Sequence, residues 1–403
     1  MKKILMVSTL DIWPIGYQRS TPVIWQTIKG FLKDDWEIYF VAGFQPDYIA
    51  KSNDKIHVVW FDAKWIKNLM KYRKIGFFAR ATWWFIVQVF AFFKSTKLLH
   101  KYKIECIYCW DIYSVPVGKF LSIIYKVPLI TRILGTSIIL DDELGKKLWK
   151  IKRWVTILAY KIPADLFIMT NDGTQGDRVL KKLNVNMDKV KFWVNGVDKA
   201  IFDPNFNKDK FKEKLGIKKN EKILLAVSRL AKWKRVDRII KAIPRVVKKY
   251  PEIKLLIIGG GEERKNLEKL AKELKVKDYI EFLGPLPHQD LKNYYNLADI
   301  FISMYDISNV GNPLLEAMSC GKCIITLDVG DTNKFIQNGK TGIVLSLNQL
   351  KYLSDVIVDL LKNEEKRELL GKNAKEFADE NLWNWEERID IEIREVKKLL
   401  KPS

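Results

Sequence analysis

The chain has 403 residues, 48% of them apolar and 29% charged, which excludes a disordered or collagen-like polymer. The length implies two or three domains, and no uncharged apolar run of about 18 residues is present to cross a membrane as a helix. Lys and Arg number 70 against 48 Asp and Glu, a net charge of +22 that attracts anions: nucleic acid, acidic lipid or phosphorylated substrates.

The bias sits in the first half. Residues 1–195 hold 31 basic and 16 acidic groups, residues 196–403 hold 39 and 32, and eleven of the 14 tryptophans fall in the first half. Trp beside Lys and Arg is the composition of a membrane interface. A Lys-rich surface of the kind used for thermal stability is the alternative.

Met1-Lys2-Lys3 followed by Ile4 to Leu10 mimics a signal peptide. No small-residue cleavage site follows, and Asp11 to Gly16 reads as a turn, so a first strand over Ile4–Ser8 is expected. Further strands are expected at Ile38–Val41, Val58–Phe61, Ile104–Trp110, Leu129–Ile133, Phe167–Thr170 and Phe192–Val194. The pattern restarts near residue 220 with Leu224–Val227, Lys254–Ile258, Ile280–Leu283, Ile300–Ser303, Cys323–Thr326 and Gly342–Leu345. Short apolar runs between helical patterns mean parallel sheets covered on both faces. The linker is placed in Asn195-Gly-Val-Asp198 through Pro204, and Trp385 to Leu400 reads as an amphipathic tail helix.

Residues 64–103 carry ten Lys or Arg and no acid, and enclose the uncharged aromatic run Ala81 to Phe93. At about 20 Å of helix this run is too short to span a bilayer. It reads either as a helix inserting shallowly into an anionic membrane face or as a core helix with basic flanks. Cys106-x-x-Cys109 and Cys320-x-x-Cys323 lie far apart, one in a strand and one at a helix end. Buried reduced thiols are expected there rather than a zinc site. His57, His100 and His288 are read as structural or surface residues.

Chemistry concentrates at strand ends. Asp306 to Gly321 follows the strand Ile300–Ser303, with Asn312 as a helix N-cap, Pro313 at the first helical position and Gly321 at its close. A helix N-terminus there suits a diphosphate, and Glu316, one turn in, suits ribose hydroxyls or simply the helix dipole. Ser228-Arg229-Leu-Ala-Lys232-Trp-Lys234-Arg235 follows Leu224–Val227 and supplies cations for a leaving diphosphate. Gly259-Gly260-Gly261 adds a third loop at this edge but is a weak dinucleotide fingerprint. Asp111, after Ile104–Trp110, is read as an acceptor-orienting group or weak base, or else a strand-end cap.

Together these motifs resemble the GT-B retaining glycosyltransferases, in the large group that includes glycogen-synthase-like and phosphatidylinositol mannosyltransferase-like enzymes. Asn195-Gly-Val-Asp198 with Phe202-Asp-Pro204, Ser228-Arg-Leu…Lys234, Ile257-Ile-Gly-Gly-Gly-Glu, Glu281-Phe-Leu-Gly284, Tyr294-Tyr…Ala298-Asp299, Leu314-Leu-Glu-Ala-Met…Gly321, Asp328-Val-Gly330 and Asn338-Gly-Lys-Thr-Gly342 occur in the family's order. The first half matches more loosely.

The resemblance implies two Rossmann-like domains, an acceptor domain over 1–195 and a donor domain over 196–380, with helix 381–403 returning to the first. It implies a hexosyltransferase using a UDP- or GDP-sugar without a metal. Arg229 and Lys234 would hold the diphosphate, and Gly16 would let the phosphates approach the backbone. Leu286 would meet the base, and Glu316 the ribose. The stretch Gly311-Asn312-Pro313-Leu314 would offer backbone amides to the diphosphate and sugar, with Ser308 and Asn309 beside the donor.

Two positions depart from the family. Ser308 stands where an acid is usual, and Leu134-Gly135, after Thr131-Arg132, where His-Gly is usual; Asp331 in place of a glycine is a smaller departure. The acceptor is expected to be a lipid-linked or cell-surface glycan precursor at the inner face of the cytoplasmic membrane, with an anionic membrane surface as partner and no nucleic acid. A soluble acceptor, or a non-catalytic glycan- or nucleotide-binding subunit, is the alternative.

Overall fold

The computed structural model describes residues 1–9, 22–43, 54–61, 76–136, 138 and 153–400. Gly16 lies outside the described residues, as does the basic stretch 64–75. The chain divides into two compact units, one comprising 1–171, 175–195 and 385–403, the other 172–174 and 196–384.

In the first unit the order is β1 (Lys2–Ser8), α1 (Pro22–Lys33), β2 (Trp36–Ala42), β3 (Ile56–Trp60), α2 (Gly76–Lys101), β4 (Cys106–Cys109), α3 (Val115–Tyr125), β5 (Leu129–Ile133), α4 (Trp154–Lys161), β6 (Leu166–Thr170), α5 (Gly176–Lys182) and β7 (Val190–Trp193). The seven strands form one parallel sheet in the order β3-β2-β1-β4-β5-β6-β7. Alternation along β1 shows why both faces are covered. Leu5 and Val7 enter one core with Val87 and Leu121, whereas Ile4 and Met6 enter the other with Ile28 and Phe31.

The second unit runs α6 (Lys208–Lys214), β8 (Lys222–Val227), α7 (Val236–Lys249), β9 (Ile253–Ile258), α8 (Arg264–Glu273), β10 (Ile280–Gly284), α9 (His288–Leu297), β11 (Ile300–Ser303), α10 (Asn312–Ser319), β12 (Cys323–Leu327), α11 (Thr332–Phe335), β13 (Ile343–Leu345), α12 (Leu353–Lys362) and α13 (Glu364–Asn381). Its six strands are parallel in the order β10-β9-β8-β11-β12-β13. The reversal of order falls between β8 and β11, so the loops leaving those strands open a crevice at a topological switch point.

The last helix, α14 (Trp385–Lys398), belongs to the first unit and packs Ile389 and Ile393 into the α1 core. It also completes a buried ionic cluster. Tyr108, Arg132, Arg388 and Glu392 are all fully buried. Tyr108 donates to Glu392 Oε1, and both Arg132 and Arg388 donate to Oε2, the latter at 2.9 Å. Burial opposes the charge on Glu392, yet the two guanidiniums hold its carboxyl below the usual range.

All thirteen strands expected from the sequence are present, most with ends shifted by one or two residues. β4 is shorter than expected, with Ile104, Glu105 and Trp110 outside the strand. The four cysteines are free and buried, as expected, and burial pushes the thiols up, to about 11 at Cys320 and about 12 at Cys323. Among the described residues no cluster of three or more His, Cys, Asp or Glu could hold a metal, and no helix is long and apolar enough to cross a membrane.

α2 settles its own packing. Trp83, Val87, Ala91, Ser95 and Leu99, four residues apart, form a buried face, while Phe85 and Phe93 are exposed on the other side and half-exposed Phe90 stacks on Phe61 at the edge of the buried face. Phe92 bridges to α3 through ring contacts of 5.6 Å with both Phe93 and Phe120, and α3 itself exposes Phe120, Ile123 and Ile124. The aromatic run is therefore a core helix on one face and a solvent-facing apolar surface on the other.

Candidate functional site

The site is built on the loops after β8 and β11, whose parallel pairing brings Ser228–Arg235 beside Met304–Leu314. Gly259 buttresses the first loop. Its φ of +131° and its approach to the Ser228 carbonyl leave no room for a Cβ. Leu230 N donates to Gly260 O at 2.8 Å, and Glu263 N to Leu230 O at 3.0 Å. The triple glycine therefore shapes the basic loop.

Lys234 lies on two aromatic faces, its Nζ 4.0 Å from the Trp233 ring centroid and 3.7 Å from that of Tyr305. Tyr305 is locked in turn by its hydroxyl, which donates to Val227 O at 3.0 Å. Burial pulls the Lys234 ammonium down to about 7, Asp172 opposing and Arg229 assisting. Arg229 is exposed at the rim. Arg235 and Arg238 are occupied with Asp306, at 3.3 and 2.7 Å, whereas Arg229 and Lys234 have no ion pair of that kind among the described residues.

α10 begins one residue earlier than the capping pattern implies. Gly311 is the N-cap, in extended conformation, and Asn312 and Pro313 are the first helical residues. Leu314 N and Leu315 N already bond Gly311 O, at 2.9 and 3.2 Å. Gly321 closes the helix at φ +63°, as expected.

Glu316 is 3% exposed. Its Oε2 accepts from Tyr295 OH and its Oε1 pairs with His288 Nε2, each at 2.8 Å. His288, read from sequence as structural or surface, therefore stands against the carboxylate that the motif singled out. Leu286, two residues before it, is half-buried in the β10–α9 turn.

Asn309 is fully buried and its side chain is spent on the loop itself. Its Nδ2 donates to Leu327 O at 3.0 Å, and its Oδ1 accepts from Tyr305 N at 3.1 Å. Ser308 donates to Asp172 O at 2.6 Å and accepts from Val310 N at 3.1 Å. Gly173, at φ +74°, packs so closely on Ser308 and Val310 that a Cβ would overlap the Ser308 hydroxyl. Gly173 O accepts from Asp331 N at 2.9 Å. The tripeptide Asp172–Thr174 is thus stitched into the second unit's own loops. Burial pushes the Asp172 carboxyl up to about 6, against bonds from Thr174.

Asp111 belongs to the first unit. Its carboxylate accepts from Thr9 N at 2.6 Å, Ser8 OH at 3.1 Å, Thr9 OH at 3.0 Å, Tyr113 N at 2.8 Å and Ser114 N at 3.0 Å. That saturates it as a cap tying the ends of β1 and β4 together. In the second unit the fold brings together Arg229, Lys234, Ser308, Asn309, Gly311–Leu314 and Glu316. Sequence reasoning missed Trp233, Tyr305, Tyr295, His288 and Asp172. The first three were visible as aromatics within or beside the motifs; Asp172 carried no motif signal.

Residues 207–377 match the family model described as glycosyl transferases group 1. An uncharacterized glycosyltransferase of Methanocaldococcus jannaschii is 30% identical over 263 residues, 65% of this chain and 61% of that protein. A GDP-mannose-dependent monoacylated alpha-(1-6)-phosphatidylinositol monomannoside mannosyltransferase of Corynebacterium glutamicum is 31% identical over 201 residues, 48% of this chain and 52% of that one. The chain thus spans between half and two thirds of these curated relatives. Among solved structures, Anabaena HepE in complex with UDP superposes with a TM-score of 0.73 at 19% identity, covering 99% of this chain and 100% of that one. Residues 207–377 are therefore similar to the group 1 glycosyltransferases, and the two-sheet fold is the GT-B fold shared with that solved structure.

Proposed function

We propose that the protein transfers a hexose from a nucleoside-diphosphate sugar to a hydroxyl, with the anomeric configuration retained. The observation that carries this is the placement of Lys234, Arg229, the start of α10 and Glu316 at adjacent strand ends of the group 1 domain. Arg229 and Lys234 hold the diphosphate beside the positive end of the α10 dipole, and Glu316 takes ribose hydroxyls in exchange for His288. The anomeric carbon–oxygen bond breaks and its electron pair leaves with the phosphate, whose growing charge those cations stabilise. The acceptor oxygen bonds the same face of that carbon, and its proton passes to the departing phosphate. No metal is required in this scheme, because the cations stabilise the leaving group. Calorimetric titration with UDP, GDP, ADP and dTDP sugars tests it. One donor class should bind, and Glu316→Ala should weaken it by about 1–3 kcal/mol; binding of none overturns the reading.

We place the acceptor on a lipid-linked or cell-surface glycan precursor at an anionic membrane face, the inner face of the cytoplasmic membrane. Exposed Phe93, Phe120, Ile123 and Ile124, with Lys94, Lys97, Lys119 and Lys126 near them in sequence and no acid on α2 or α3, support this. Co-sedimentation with vesicles containing phosphatidylglycerol at low salt should succeed for wild type and fail for Phe93→Asp/Phe120→Asp. Indifference of the wild type to such vesicles would leave a soluble acceptor.

A further inference from the structure

Asp172 belongs to no motif of the group 1 pattern, yet it is part of the donor-side unit. Asp306 is neutralised by Arg235 and Arg238, and position 308 carries a hydroxyl, so neither offers an uncompensated carboxylate to the crevice. Asp172 is partly buried beside Lys234. Its carboxylate is fixed by Thr174 N at 3.1 Å and Thr174 OH at 2.5 Å. Both of these bonds land on Oδ1, and Asp172's own amide donates to the carboxylate as well; with two lone-pair sites on each oxygen, the group keeps acceptor capacity for a ligand. The main chain around it is held just as firmly. Its own carbonyl accepts the Ser308 hydroxyl, and the Gly173 carbonyl accepts Asp331 N.

The two charges answer to different parts of one ligand. Lys234 rests on ring faces, which leaves its N–H donors for an anion. A carboxylate so close to that anion repels it, unless the ligand also brings hydroxyl donors to the carboxylate. A bare phosphate brings none; a sugar esterified to the phosphate does.

We propose that Asp172 is a donor-sugar residue, accepting hydroxyl hydrogens of the sugar while Lys234 and Arg229 hold the diphosphate to which it is attached. The inference rests on the donor-site reading above. It gives the chain a carboxylate near the sugar without one at position 308. When the glycosidic bond breaks and its electron pair leaves with the phosphate, positive charge on the anomeric carbon faces Asp172. Once the sugar has gone, the same carboxylate repels the nucleoside diphosphate left behind and speeds its release.

Paired titrations test this, using UDP, GDP, ADP and dTDP against their hexose conjugates on wild type and Asp172→Asn. In the variant, the recognised bare diphosphate should bind as well or severalfold tighter, and its hexose conjugate tenfold weaker or more, the size of one charged hydrogen bond. A purely structural role for Asp172 moves both ligands in one direction. Parallel weakening, or no change in either, would overturn the proposal. Failure of the wild type to bind any of the eight ligands would instead remove the donor-site reading, and this inference with it. Thermal midpoints of the two proteins separate misfolding from either result.

Discussion

Diphosphate affinity should fall steeply as pH rises from 7 to 9, because the charge on Lys234 is lost over that interval. Burial holds the ammonium near 7 in the ligand-free protein. The cation is therefore present below that pH and lost above it. A bound diphosphate restores the ordinary lysine range, so binding must recharge the amine. Half of the molecules carry the charge at pH 7 and about one in a hundred at pH 9, so affinity drops about fiftyfold, or about 2.3 kcal/mol. Asp172, near 6, is largely ionised throughout and contributes little to the slope. Calorimetry in buffers of different ionisation enthalpy reads both quantities: the affinity, and an uptake of close to one proton per diphosphate at pH 8.5. Lys234→Met should bind weakly at pH 7 and show neither slope nor uptake. Ligand-free stability should run the other way, rising between pH 7 and 10, since the unfolded lysine still binds its proton there. A wild-type affinity that is flat from pH 7 to 9 with no proton uptake would refute the reasoning.

Other perturbations have outcomes of definite sign. Tyr295→Phe removes one of the two bonds to Glu316 and should weaken the recognised nucleotide sugar less than Glu316→Ala does, by about 0.5–1.5 kcal/mol in calorimetry. Glu392→Ala leaves Arg132 and Arg388 buried without a counter-charge and should cost about 3–5 kcal/mol. In differential scanning calorimetry that loss should fall on the transition of the first unit, leaving the second unit's nucleotide affinity unchanged. Gly259→Ala forces a Cβ against the Ser228 carbonyl at a left-handed φ and should displace the basic loop. Diphosphate affinity and thermal midpoint should then fall together.

Much of the fold was legible from the residues alone. Parallel strands buried on both faces read as short apolar runs: Ile300–Ser303 is apolar up to its last residue, and Leu129–Ile133 has apolar ends around Thr131-Arg132. Arg132 shows how such a reading runs out. It lies mid-strand and fully buried because Glu392, 260 residues away on α14, reaches it. The loops after β8 and β11 were legible too, since glycine, basic and N-terminal helix signals are local chemistry tied to strand ends.

Tertiary structure decided the state of each group. Lys234 and Lys232 are alike in sequence, but only Lys234 lies between two aromatic rings that strip its water. Glu316 gained His288 and Tyr295 from α9, which no spacing rule connects to α10. Asp172, next to an ordinary strand end, joins the second unit because Gly173 lets the main chain close on Ser308. Local pattern determines which backbone forms where. The environment of a charge depends on residues distant in sequence, and it is that environment which sets what the charge can do.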